Sequence, residues 1–182
     1  MFRFKKSVFH LSVAISLWAV SGLGFAGSSS IAVPVSASVS QNCSISTGAA
    51  LAFTTYDPVI TNAVTALNAT GQISVACTKG AVGLTIGMDN GAHVAATQRQ
   101  MLGGTNAGML QYNIFQPPSN APGTACTFPG ATAWSATGTG LLTLTTAPSN
   151  VTRIYNVCGT IPGGQNVAAD TYTDTVNATI NF

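Results

Sequence analysis

The sequence predicts an all-β domain, most simply a two-sheet sandwich. Short runs in which apolar and polar residues alternate recur along the chain, and this alternation is typical of half-buried strands. Turn-forming groups of Gly, Pro, Asn and Asp separate the runs. No helical period is maintained over a dozen residues, and the best helical candidate, residues 59–67, is rich in the weak helix formers Thr and Val.

The alternating runs can be followed in order along the chain. The first run, residues 31–39, places these side chains on one face: Ile31, Val33, Val35, Ala37 and Val39. Three internal runs follow at residues 73–77, 84–88 and 110–114. The last run, residues 173–182, has the cleanest alternation, with one face formed by Val176, Ala178, Ile180 and Phe182. A domain of about 150 residues is long enough to bury a core between two such sheets.

Residues 1–26 have the three parts of a secretory signal peptide. A basic start precedes a largely apolar run over residues 8–20, and Gly24 and Ala26 supply small residues at the −3 and −1 positions of a cleavage site. The apolar run is shorter than the roughly 20 residues that a membrane span needs. We therefore expect cleavage after Ala26 and export of a mature chain that begins at Gly27.

The charge of the mature part excludes one large class of function. Of the 182 residues only 5% are charged, whereas 46% are hydrophobic, and Glu is absent. From Gly27 onward the charged residues have a formal net charge of −1; they are Lys79, Arg99, Arg153, Asp57, Asp89, Asp170 and Asp174. Such a chain has no basic surface for phosphate backbones, so nucleic-acid binding is excluded.

Four cysteines fall in the mature part, which fits an oxidising compartment. Four thiols allow three pairings. We expect the sequential pairing, Cys43 with Cys77 and Cys126 with Cys158, because it closes two loops of similar size. Their spacing does not match a zinc site, and the mature part has a single histidine, so no metal ion is expected.

Groups for catalysis are scarce. Acid–base or nucleophilic chemistry needs positioned ionisable side chains, and this chain has one mature histidine and four Asp distributed over turns. His93 follows the turn sequence Asp89-Asn90-Gly91 and is predicted to be a solvated loop histidine. We expect no catalytic site, no cofactor and no small-molecule substrate.

A set of short motifs, in a fixed order, resembles one known family. The motifs are CSI at residues 43–45, LAFTTYDP at 51–58, GQISVAC at 71–77, LTI at 84–86, RQM at 99–101, LQYNIF at 110–115, TIPGGQNV at 160–167 and ADTYTDTV at 169–176. The chain thereby resembles the spore coat protein U domain, the fold family of archaic chaperone–usher pilus subunits. The likeness spans nearly the whole mature chain, although Thr54 and Asp170 stand where the family often has Gly.

The resemblance implies an incomplete immunoglobulin-like β-sandwich that is completed by a donor strand from a neighbouring subunit. It divides the mature chain into a donor segment, residues 27–41, and a pilin body, residues 42–182. The inserted side chains would be those of the first alternating run, and one edge of the acceptor groove would be formed by the last run. Pro34 lacks a backbone donor in the middle of the donor segment, which leaves its register open. The implied partners are neighbouring copies, a periplasmic chaperone and an outer-membrane usher.

Three functions remain to be distinguished. The resemblance favours a structural subunit of a cell-surface fibre that supports adhesion and biofilm formation. The family name suggests a structural protein of a spore coat as an alternative. A secreted monomeric binding module is a third function, which would require a body that folds without a borrowed strand.

Overall fold

The computed structural model describes residue 24 and residues 26–182. The predicted signal peptide therefore lies almost entirely outside the described residues. The chain divides into two compact units, Met1–Ala37 and Ser38–Phe182. In the first unit the described residues have no assigned strand or helix, and Ile31, Val33 and Val35 are 87%, 75% and 92% exposed. Among the described residues no helix is long and apolar enough to cross a membrane.

The second unit is built from antiparallel strands, which confirms the all-β prediction. The strands are β1 (Cys43–Ala49), β2 (Leu67–Cys77), β3 (Thr85–Met88), β4 (Val94–Ala95), β5 (Gln98–Gly103), β6 (Met109–Phe115), β7 (Leu142–Thr143), β8 (Arg153–Ile161), β9 (Tyr172–Thr173) and β10 (Ala178–Asn181). The larger sheet has the order β1-β2-β8-β6-β5-β4, with β9 also paired to β5. The smaller sheet has the order β10-β3-β7.

The core lies between the two sheets. Period-2 alternation turns one face of β2, β6 and β8 inward, so that Val75, Ile114 and Tyr155 are buried from the larger sheet. Ile86 of β3 is buried from the smaller sheet, and the indole of Trp134 donates to its carbonyl over 3.0 Å. That bond lets Trp134 be fully buried, because its one polar hydrogen is satisfied.

Both disulfides have the sequential pairing expected from the sequence. Cys43–Cys77 joins β1 to β2 at directly paired register positions. Cys126–Cys158 ties the long connection after β6 to β8. The first bridge fixes the start of the body to the larger sheet, and the second anchors a connection that has little regular structure.

The C-terminal run is two strands rather than one. β9 pairs with β5 of the larger sheet, and β10 pairs with β3 of the smaller sheet. The chain between them crosses from one sheet to the other, and its carbonyls at Thr175 and Asn177 accept hydrogen bonds from Ala92 and Asp89. Side chains still alternate across this crossing, so the sequence pattern reads as one continuous strand although the pairing partner changes.

Residues 58–65, which include most of the helical candidate, form turns and bends. The segment before them, residues 50–56, packs over the end of the larger sheet. Gly71 permits this close approach, since a Cβ there would lie 2.9 Å from the backbone nitrogen of Leu51. Leu51, Phe53 and Tyr56 thereby pack against the core, whereas the residues between them are exposed.

Candidate functional site

An open groove runs between the edges of the two sheets. β1 stands at one end of the larger sheet and β10 at one end of the smaller sheet. The space between them has a volume of about 650 Å³. Its floor is formed by apolar and aromatic side chains from five strands: Ile73, Met88, Met101, Tyr112, Ile114 and Val157.

The β1 rim is an edge strand with few buried side chains. Ile45 is half-buried against the core, whereas residues from Ser46 to Ala49 are exposed. Pairing with β2 breaks between Thr47 and Ala49, where β1 carries a bulge-like register shift. An edge strand leaves one row of backbone N–H and C=O groups without strand partners, and these groups are a template for pairing with another chain.

The opposite rim is formed by residues 172–178, and Asp174 holds it in place. The Asp174 side chain is only 3% exposed. Its Oδ1 accepts hydrogen bonds from the backbone nitrogens of Ala92 and His93 at 3.0 and 3.1 Å, and it lies 3.1 Å from His93 Nδ1. Its Oδ2 accepts from the Tyr112 hydroxyl at 2.6 Å. One carboxylate thus ties the rim to the loop before β4 and to the groove floor.

The contact with Asp174 affects the protonation of Tyr112. Its side chain is almost fully buried beneath the groove. Burial, the hydrogen bond to Asp174 and the Asp174 charge all raise the pKa of the Tyr112 phenol, so it remains a neutral donor. The floor is therefore uncharged at this position, and an apolar segment could lie over it without meeting a phenolate.

A second polar anchor lies below the rim at Arg99. The buried guanidinium donates to the carbonyls of Met88, Asp89 and Trp134, with the shortest bond of 2.6 Å to Asp89. Burial lowers the pKa of Arg99, while the nearby Tyr112 and acidic groups oppose that effect. These bonds connect β5 to the end of β3 and fix the smaller sheet above the larger one.

Asp89 links this anchor to the rim by its carboxylate. It accepts from the backbone and side-chain nitrogens of Asn177, at 3.0 and 2.7 Å, and from the Gly91 nitrogen at 2.9 Å. Burial alone would raise the pKa of Asp89, but these hydrogen bonds and the Arg99 charge hold it below its usual value. Asn177 lines the groove, so its position depends on the ionised form of Asp89.

The structure brings some of the sequence-selected residues together. Val176 and Ala178 line the groove, and Ile180 is half-buried against the core. Phe182, by contrast, is 54% exposed. The residues selected for the donor segment are exposed and lie outside any strand, including Val39 in the second unit.

Other residues of the site were missed by sequence reasoning. His93 was expected to be solvated, but its side chain is 32% exposed and faces a buried carboxylate. Asp174 and Arg99 were named in the sequence only as charged residues and as parts of the family motifs, not as site residues. The available signal was the rarity of charge, since only seven charged residues follow Gly27. A charged side chain is costly to bury unless it has hydrogen-bonding partners, so each of the few charges was a candidate for a specific contact. Among the described residues no cluster of three metal-ligating side chains is present.

These features define a class of protein: a disulfide-bonded, two-sheet β-sandwich with an open groove that has an apolar floor. The chain belongs to the Spore Coat Protein U domain family, whose sequence model matches residues 30–179. It is 34% identical over 157 residues to "Protein U" of Myxococcus xanthus, and this match covers 80% of each chain. The family resemblance found in the motifs is thereby confirmed.

A solved structure shares the fold. It is a chain of the CsuC–CsuE chaperone–tip adhesion subunit pre-assembly complex from archaic chaperone-usher Csu pili of Acinetobacter baumannii. The two chains superpose with a TM-score of 0.50 at 22% sequence identity, over 79% of the present chain. The present chain spans 40% of the length of that neighbour.

Proposed function

We propose that this protein is a structural subunit of an archaic chaperone–usher pilus, polymerised by donor-strand complementation. The observation that carries the proposal is a groove with an apolar floor, which lies between the edge strand β1 and the rim of residues 172–178. The same chain carries a separate, exposed apolar segment of strand-like alternation. An extended segment laid in the groove would bond through its backbone to an edge strand and insert alternate side chains into the floor.

The donor segment has the composition for this role. Residues 27–41 contain no charged residue, and the side chains of Ile31, Val33, Val35, Ala37 and Val39 have the spacing of one strand face. Exposed apolar strands are an aggregation hazard that proteins normally blunt with charge. A segment without such protection is explained if it is buried in the groove of the neighbouring subunit.

The route to the surface follows from the same proposal. The signal peptide directs export and is cleaved after Ala26, which frees the donor segment at the new N-terminus. The groove is capped by a periplasmic chaperone during transit, and an outer-membrane usher exchanges that cap for the donor segment of the next copy. The assembled fibre lies on the cell surface, where it supports adhesion and biofilm formation.

A deletion tests the proposal. Residues 27–38 are removed from the mature chain, which keeps Val39 and the hydrogen bonds of the Gln41 side chain to the Val82 backbone. This deletion is expected to abolish the fibres seen by electron microscopy. A synthetic peptide of residues 27–41 added to the truncated body should bind and raise its thermal unfolding midpoint. A peptide of the same composition in scrambled order is the matched control. Fibres formed equally well by the truncated chain would overturn the proposal.

A second function is favoured by one observation, the 34% identity to "Protein U" together with the family's name. In that case the same strand exchange would assemble a spore coat. Fractionation of the native producer distinguishes the two, because a coat protein partitions with purified spores and a pilus subunit with sheared cell-surface fibres. A third function, a secreted monomeric binding module, predicts a single monomeric peak in gel filtration of the mature chain.

A further inference from the structure

The loop of residues 57–66, here called the 57–66 loop, exposes three large aliphatic side chains that the groove does not use. Val59, Ile60 and Val64 are 80%, 79% and 90% exposed. They lie at the end of the body where β2 begins and β8 ends, since Leu67 pairs with Ile161. Three such side chains in one short loop expose apolar surface at this end of the body.

The 57–66 loop is held in one conformation by polar contacts. The Asp57 carboxylate accepts from the backbone nitrogens of Val59 and Ile60 at 2.9 and 3.1 Å. Asn62 is 2% exposed; its Oδ1 accepts from the Asp57 nitrogen at 2.9 Å and its Nδ2 donates to the Thr65 carbonyl at 3.0 Å. A patch that is already ordered loses little conformational entropy on binding, which favours contact with a partner.

The opposite end of the body anchors the root of the donor segment. The Gln41 side chain donates to the Val82 carbonyl at 3.0 Å and accepts from the Val82 nitrogen at 3.2 Å. Asn42 and Thr78 are joined by a backbone hydrogen bond of 2.9 Å. Only Ser40 separates Val39 from the anchored Gln41, a span of about 7 Å between the two Cα atoms. We call this region, residues 40–43, 78–82 and 150–151, the tether end.

This short span forces two bodies into contact. If Val39 lies in the groove of one copy, the tether end of the next copy must lie against the mouth of that groove. The tether end also exposes apolar side chains, with Val82 and Val151 57% and 68% exposed. It carries one charged residue, Lys79, whereas the 57–66 loop carries the acidic Asp57.

The direction of the inserted strand determines which end of the acceptor body lies next to the tether end of the donor copy. β10 runs towards the tether end, because Asn181 pairs with Thr85, which follows Val82 closely in the chain. Antiparallel pairing is the more stable mode per residue. A donor strand antiparallel to β10 therefore leaves the groove at the far end of the body, the end that holds the 57–66 loop.

We propose that the 57–66 loop of one copy docks on the tether end of the next copy, so that each junction has an apolar end-to-end contact in addition to the inserted strand. Val59, Ile60 and Val64 pack against Val82 and Val151. This contact rests on the proposed pilus function, which supplies the neighbouring copy. Its consequence is a junction of fixed angle rather than a free hinge.

Cross-linking of the full mature chain tests the contact. Copies carrying Ile60→Cys are co-assembled with copies carrying Val82→Cys and treated with a short bismaleimide. The expected result is a covalent dimer in fibres and its loss in unassembled protein. Val94→Cys replaces Ile60→Cys in the matched control, because Val94 is 45% exposed on the opposite edge of the larger sheet and should give no dimer.

The other outcomes separate the two proposals. Fibres without the Ile60→Cys to Val82→Cys dimer, or with dimers formed between two Val82→Cys copies, overturn the end-to-end contact and leave the pilus function intact. Absence of fibres from the unmodified chain overturns the pilus function, and the contact with it. Binding of intact fibres to octyl-coated beads, abolished by Ile60→Ser, would show a free loop with a different occupant and would also overturn the contact.

Filament shape provides a second readout. Val59, Ile60 and Val64 changed together to Ser should leave the unfolding midpoint of the monomer unchanged, because all three are exposed. Fibres of this variant should show a wider distribution of angles between successive bodies in electron micrographs than fibres of Val94→Ser. Equal distributions would contradict a contact that fixes the junction.

Discussion

Val35→Ala should have no effect on the free subunit and should weaken every junction of the fibre. Val35 is 92% exposed, so nearly all of its apolar area is available for burial if the proposed donor segment enters the groove of another copy. The substitution keeps Cβ and removes two methyl groups. At about 0.8 kcal/mol per buried carbon, with a further allowance for the cavity left behind, the loss is roughly 1.5–2.5 kcal/mol per junction.

The assay measures dissociation of the assembled fibre separately from unfolding of the free subunit. That loss corresponds to roughly 10- to 60-fold faster dissociation of a junction, since about 1.4 kcal/mol is a factor of ten. Purified fibres of both forms are incubated in mild denaturant, and release of monomers is followed by gel filtration. Ser36→Ala is the control, because Ser36 lies on the opposite face of the segment.

Two results would refute the reasoning. Equal dissociation rates for Val35→Ala and the unmodified fibre would mean that Val35 is not inserted in the groove. A lowered unfolding midpoint of the free Val35→Ala subunit would mean that the segment contributes to the stability of its own body. Either result would remove the donor role of this face.

Two further predictions concern the groove rim. Asp174→Ala leaves the Tyr112 hydroxyl and the backbone nitrogens of the loop before β4 without their buried acceptor. We expect the free energy of unfolding, measured in urea, to fall by about 2–5 kcal/mol and the donor peptide to bind more weakly. An unchanged unfolding midpoint would show that the rim does not depend on this carboxylate. The folded-state pKa of Asp89 is lowered, so its contribution is present above the unfolded value of 3.8 and is lost as the pH falls below it. Unfolding midpoints at pH 7 and pH 3 should therefore differ less for Asp89→Asn than for the unmodified body, and identical pH dependence would contradict the assignment.

The strands that follow simple alternation could be predicted from the sequence. Apolar side chains of β2 and β6 at every second position are buried as the pattern indicates, and Ile73, Val75 and Cys77 all face the core. The last run behaves similarly, with Val176, Ala178 and Ile180 half-buried. Local pattern is sufficient here because burial of one face is a property of the strand itself.

The polar parts of the site could not be predicted in the same way. Asp174 and His93 are 81 positions apart in the chain and meet only because the C-terminal run crosses between sheets. The crossing itself has no sequence signal, since its side chains keep the period of a single strand. Arg99 likewise satisfies its donors with carbonyls from distant loops, and such partners depend on tertiary packing rather than on residue type.

The placement of β9 and β10 has a consequence for cooperativity. Residues 172–181 supply a strand to each of the two sheets, β9 to the larger and β10 to the smaller. Between these strands, Asp174 also bonds to Tyr112 and to the loop before β4. Separation of the two sheets would have to break these bonds, so we expect both sheets to unfold together in a single transition.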